Sequence, residues 1–221
     1  MTRESEDPDV FGRDREDALL QGARWRRIAF LGDSIVEAKS PDPVAGYERL
    51  SWPDRVVRAL RRQQPDLVSL NLGVRDLTAA QVAETQLAPA LAFGPDLAFV
   101  VCGGNDVMRR GFRPAGTRES LDGMVRALRA EGADVVLMAT FDTGPLDVPE
   151  PLRTRIVTGM PVVRAVVREV AAADDRVTLV DIADHPRARD RGILSADGIH
   201  ANHVGEAIIA SAVLANLPVT H

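Results

Sequence analysis

Arg27-Ile28-Ala29-Phe30-Leu31-Gly32-Asp33-Ser34 is the stretch on which the fold turns. Ile28 to Leu31 are apolar without alternation, the pattern of a strand covered on both faces in a parallel sheet. Gly-Asp-Ser then breaks the run. A buried strand that stops in a glycine-led turn delivers the next side chain to the carboxyl edge of its sheet, where open α/β sheets bind ligands. A lone serine at such a place is more often a turn or cap residue than a nucleophile. A nucleophile needs a base, a carboxylate to orient that base, and donors for an oxyanion.

Four more apolar runs follow the first strand (26–31), at 67–72, 96–102, 134–139 and 176–182. Helical patterns separate them. Ser51 caps a helix with Pro53 in its first turn and Val56, Val57 and Leu60 on one face. Residues 78–91 form a second helix, and 117–130 a third with Leu121, Met124, Val125 and Leu128 at helical spacing. A long helix lies between 149 and 173, where Gly159-Met160-Pro161 is expected to kink or split it. Asn202 caps the last helix. This alternation predicts an α/β protein: a flavodoxin-like, three-layer α/β/α sandwich around a five-stranded parallel sheet in the order 2-1-3-4-5. Residues 1–24 are expected to be a charged, partly helical arm, loose to about Asp14, and 25–217 the domain proper.

Bulk properties narrow the function. The 221 residues are 45% hydrophobic and 27% charged, ordinary for a globular chain, with a net charge of −5. An acidic balance argues against a nucleic-acid surface. Cys102 is the sole cysteine, so neither an intrachain disulfide nor a thiolate cluster is expected. No run of ~18 apolar residues suggests a membrane span, and the charged start lacks a signal-peptide core. A cytoplasmic protein without a cofactor, acting on a small molecule, is the expectation; monomer and homodimer stay undecided.

The chemistry-bearing residues fall at strand ends. Ser34 follows strand one, Gly73 strand two and Asn105 strand three, while Asp197 and His200 precede the last helix. In the predicted order the first three strands are neighbours, so their loops surround one crevice. Asp197-x-x-His200 lets the carboxylate fold back onto the imidazole and fix its tautomer, leaving the other ring nitrogen for the serine proton. The N–H groups of Ser34 and Gly73 and the Asn105 side chain are candidate oxyanion donors.

Gly32-Asp33-Ser34, Gly73, Gly103-Gly104-Asn105-Asp106 and Asp197-Gly198-Ile199-His200 together resemble the conserved blocks of the SGNH/GDSL hydrolase superfamily. With Arg24-Trp25-Arg26-Arg27 and Val101-Cys102 added, the pattern looks like its arginine- and alanine-rich actinobacterial branch. The resemblance implies metal-free ester hydrolysis with Ser34 as nucleophile, His200 as base, Asp197 as its orienter, and Gly73 and Asn105 as oxyanion donors. The chain departs from the pattern at Ile35, Ala38 and Ala201, none of which is a catalytic group. Acyl transfer or thioester cleavage at the same site, and a silent binding module of the same fold, are the alternatives. The plainer readings are a surface role for His200, turn chemistry for Asn105 and a purely conformational role for Gly73. Asp33 and Asp106 are expected to hold loops, and Cys102 to fill core. A metal reading of Asp197, His200 and His203 lacks partners, and His185 is a poor base candidate. Trp52, Tyr47, Met108, Phe112 and Phe141 are candidates to line a pocket, with packing the simpler role, and the 38–50 loop is a candidate mobile cover. His221 is expected to be disordered.

Overall fold

A computed structural model of the chain describes residues 3–39, 42–140 and 148–219. The strands β1 (Arg27–Gly32), β2 (Val68–Asn71), β3 (Leu97–Val101), β4 (Asp134–Ala139) and β5 (Val177–Asp181) form one parallel sheet in the order β2-β1-β3-β4-β5. Eight α-helices are described: α1 (Arg13–Leu19), α2 (Ser34–Glu37), α3 (Trp52–Gln63), α4 (Ala79–Phe93), α5 (Gly104–Met108), α6 (Pro114–Ala130), α7 (Leu152–Ala172) and α8 (His203–Asn216). The expected sandwich and strand order are those observed.

The unbroken apolar strands are explained by two cores. Ile28 and Phe30 of β1 point into one with α3 and α8, while Ala29 and Leu31 point into the other with α4, α6 and α7. In the first, Phe30 stacks on Phe99 at 4.8 Å between centroids, and Trp52 meets both edge-on at 5.5 and 5.7 Å. Trp52 is fully buried, and its Nε1–H donates to the Ile35 carbonyl at 2.8 Å. It is therefore a core residue that braces the chain just after Ser34, and not a pocket wall.

Three other expectations are corrected. α7 runs as one helix through Pro161. The missing amide frees only the carbonyl four residues back, at Val157, which lies on the exposed face of the helix. The charged N-terminal stretch is tied to the body rather than loose. Glu4 binds Arg55 at 2.6 and 3.0 Å, Asp7 accepts from Tyr47 at 2.5 Å and Arg187 at 2.9 Å, and the Phe11 N–H donates to Ser211 Oγ. Its charges are complementary to buried and half-buried arginines, which composition does not reveal. The 38–50 cover, whose Ser40 and Pro41 lie outside the described residues, is fastened as well. Asp42 accepts the Ala196 and His203 N–H groups and donates its own to Ser195 Oγ. Phe141 and His221 lie outside the described residues. Among the described residues no helix is long and apolar enough to cross a membrane.

Candidate active site

Strand β1 ends where it must. Gly32 lies so close to β3 that a Cβ there would stand 2.1 Å from the Val101 carbonyl oxygen. The next residue, Asp33, caps α2 by accepting the Ile35 N–H at 3.1 Å, and its carbonyl takes the Val36 and Glu37 N–H groups. Ser34 is thus the first residue of α2. Its own N–H is the one first-turn amide left without a partner among the described residues, and it sits at the positive end of that short turn.

Ser34 Oγ lies 2.8 Å from His200 Nε2, and His200 Nδ1 lies 2.6 Å from Asp197 Oδ2. Asp197 Oδ1 accepts the N–H groups of Ile199 and His200 at 2.9 and 3.0 Å. Burial alone would raise the Asp197 carboxyl, but the hydrogen bonds from the His200 ring and those two amides outweigh it and hold it below the ordinary value. An ionised Asp197 keeps the proton on Nδ1 and leaves the Nε2 lone pair facing the serine hydroxyl.

The two expected side donors are placed differently. Asn105 lines the same cavity, with its amide nitrogen donating to Asp33 Oδ2 at 3.3 Å and the Leu77 carbonyl at 3.0 Å. Gly73 is not on the cavity wall, and its N–H donates to Asn71 Oδ1 at 2.9 Å. A Cβ at Gly73 would stand 2.3 Å from the Glu37 nitrogen, so glycine here lets the β2 loop pass against α2. Asp106 holds loops, accepting from the Ala79 N–H and Thr117 Oγ1. Asp33 is buried, which pushes its carboxyl up to about 7 despite the Ile35 N–H and the His200 charge.

The cavity in front of Ser34 measures about 680 Å³, within the range of small-molecule sites. Met108 is on its wall; Tyr47 and Phe112 are not. Cys102 reaches the wall but stays buried, and burial holds its thiol well above the ordinary value. His185 and His203 stand apart from the Ser34–His200 pair: His185 Nδ1 accepts the Arg187 N–H, and the His203 N–H goes to Asp42. Among the described residues no group of three or more His, Cys, Asp or Glu could hold a metal.

Two contributors escaped the sequence reading. Gln86 of α4 clamps Gly32, accepting its N–H at 2.7 Å and donating to its carbonyl at 2.8 Å. It occupies a core position among Ala79, Val82 and Ala90, and a polar residue on that stripe was the available signal. Ser195 is the other: its N–H donates to the His200 carbonyl and its Oγ to Ala201, closing the loop that presents Asp197 and His200.

Residues 30–208 match the model of the GDSL-like lipase/acylhydrolase family. The chain belongs to that family. Among curated members it is 28% identical to Esterase TesA of Pseudomonas aeruginosa over 82% of this chain and 83% of the relative. Two solved structures agree in fold. An α/β hydrolase enzyme from the metagenome of Lake Arreo, Spain, covers 86% of this family member and 94% of its own length, at 24% identity and a TM-score of 0.67. An acetylxylan esterase from Geobacillus stearothermophilus covers 86% and 92%, at 21% identity and a TM-score of 0.67.

Proposed function

We propose that the protein is a serine esterase that hydrolyses small-molecule carboxylic esters through an acyl-enzyme on Ser34. Family membership supports carboxylic ester hydrolysis. The observation that carries the reading is the continuous chain from Ser34 Oγ through His200 to Asp197, at 2.8 and 2.6 Å, beside a cavity able to hold an acyl group.

The steps use the chain's own groups and water. His200 Nε2 removes the Ser34 proton as Oγ bonds to the acyl carbon. The resulting oxyanion is met by the free N–H of Ser34. Asn105 and Gly73 are the other proposed donors; to act, the Asn105 amide would have to leave Asp33 or Leu77, and the Gly73 N–H would have to leave Asn71. Each such donor is worth about 2.7–4 kcal/mol in comparable sites. The imidazolium then hands its proton to the departing alkoxide, and the ester C–O bond breaks. Water, deprotonated by the same nitrogen, attacks the acyl carbon and releases the acid and the serine.

Short and medium p-nitrophenyl esters are the substrates to assay. Ser34→Ala should lower turnover by at least ~10³-fold while leaving the thermal midpoint near that of the parent. A fluorophosphonate should label the parent and not the variant. Turnover of the Ser34→Ala protein at the parental rate would refute the assignment.

A further inference from the structure

On the α3/α8 side of the cavity, Ile35, Met138, Ile182, Leu194 and Ile209 make an apolar recess interrupted by one carboxyl, that of Glu206. Glu206 lies in the first turn of α8, three residues before Ile209, and is 4% exposed. Its Oε2 accepts the Trp52 N–H at 2.6 Å. Its Oε1 has no hydrogen-bond partner among the described residues. Among the described residues, the side-chain atoms both sealed from solvent and without a hydrogen bond are Arg129 Nε, Arg155 Nε and His203 Nδ1. Glu206 lines the cavity, and its Oε1, which has no hydrogen bond and is not one of these, keeps contact with solvent-accessible space.

We propose that Glu206 is a specificity-determining residue whose Oε1 hydrogen-bonds a hydroxyl carried on the acyl chain that enters this recess. The proposal rests on the esterase reading above and names its substrate class: hydroxylated acyl esters. A residue serving only to cap α3 uses one oxygen, and a second oxygen facing an apolar recess is costly unless something meets it. A hydroxyl suits it better than an ammonium. Burial pushes the Glu206 carboxyl up to about 8 against the lowering effect of the Trp52 N–H and Arg55. At neutral pH the group therefore keeps its proton and can both donate and accept, as a hydroxyl does. The nearby Arg55 guanidinium disfavours a second cation. A site built around a substrate hydroxyl discriminates strongly, because the deoxy analogue leaves the buried group unpaired.

The test uses the full chain and p-nitrophenyl esters of one acyl length, plain or carrying a single hydroxyl near the ester, mid-chain or at the terminus. The parent should turn over the best hydroxylated member with a kcat/KM at least about tenfold above the plain one. Glu206→Leu should abolish that preference. Glu206→Gln keeps an acceptor for the Trp52 N–H and offers the recess an amide donor in place of the acid, so it should retain part of the preference. No preference in the parent overturns the proposal, and so does a preference that Glu206→Leu, or Glu206→Met where the leucine variant fails to fold, leaves unchanged. Turnover of the acetate ester, present in the parent and lost in Ser34→Ala, checks the esterase reading separately. Its absence would bring down both.

Discussion

Asp197 sets the charge state of the chain that ends at Ser34 Oγ. Its carboxyl is held low by three hydrogen bonds, two of them from backbone amides of its own loop. It therefore stays ionised at neutral pH and keeps accepting from the His200 ring. Asp197→Asn should lower kcat by ~10³–10⁴-fold by permitting the wrong tautomer, with a far smaller change in KM. Equal losses in kcat and KM-limited binding would place Asp197 outside this chain. The five candidate positions were named from residue type and place, Ser34, Gly73 and Asn105 after strands and Asp197 and His200 before the last helix; four of them line one cavity and Gly73 does not. Their hydrogen bonds were not legible: spacing cannot say that Asn71 holds the Gly73 N–H, or that Asp33 and Leu77 hold the Asn105 amide.

Elements place these side chains, and the junction of β1 with α2 matters most. Gly32 ends the strand against β3, Asp33 caps the turn, and Gln86 of α4 fixes the Gly32 peptide from the opposite layer. Gln86→Leu keeps the volume but strands the Gly32 N–H, whereas the Gly32 carbonyl retains the Val74 N–H at 3.2 Å. The loss of stability should be about 1–3 kcal/mol, read as a lower urea midpoint at constant slope. Because the same peptide positions Ser34, kcat should fall while KM holds; a stability loss with unchanged kcat would make Gln86 merely structural. Every strand was found: β3 and β4 read as apolar runs covered on both faces, while β2 is an exposed edge strand interrupted by Ser69 and Asn71. For α7 the sequence reading expected a kink or a split, and the helix is not split at the exposed Pro161. It also placed Trp52 with the pocket candidates although the residue faces Phe30 and Phe99, because a helix start does not declare which face is inward.

At the scale of the molecule, buried acids give stability a pH dependence whose sign can be worked out. Burial raises Glu206 from 4.5 to about 8 and Asp33 from 3.8 to about 7. Between the ordinary and the raised value the folded chain holds a proton that the unfolded chain releases, so rising pH favours unfolding. The arm and loop acids pull the other way but act elsewhere. Glu4, Asp7 and Asp197 are held below their ordinary values, so their contribution is already complete above about pH 5. His203, pushed down by burial, costs stability only below its ordinary 6.5. From pH 6.5 to 8 the two raised acids therefore dominate, and unfolding free energy should fall by on the order of 1–2 kcal/mol as pH rises. Denaturant midpoints across that window measure it. Glu206→Gln removes one of the two titrations, so its stability should vary less with pH than the parent's, even if its absolute stability differs. A parental stability that stays level or climbs from pH 6.5 to 8 would mean that Glu206 and Asp33 are ionised in the folded protein.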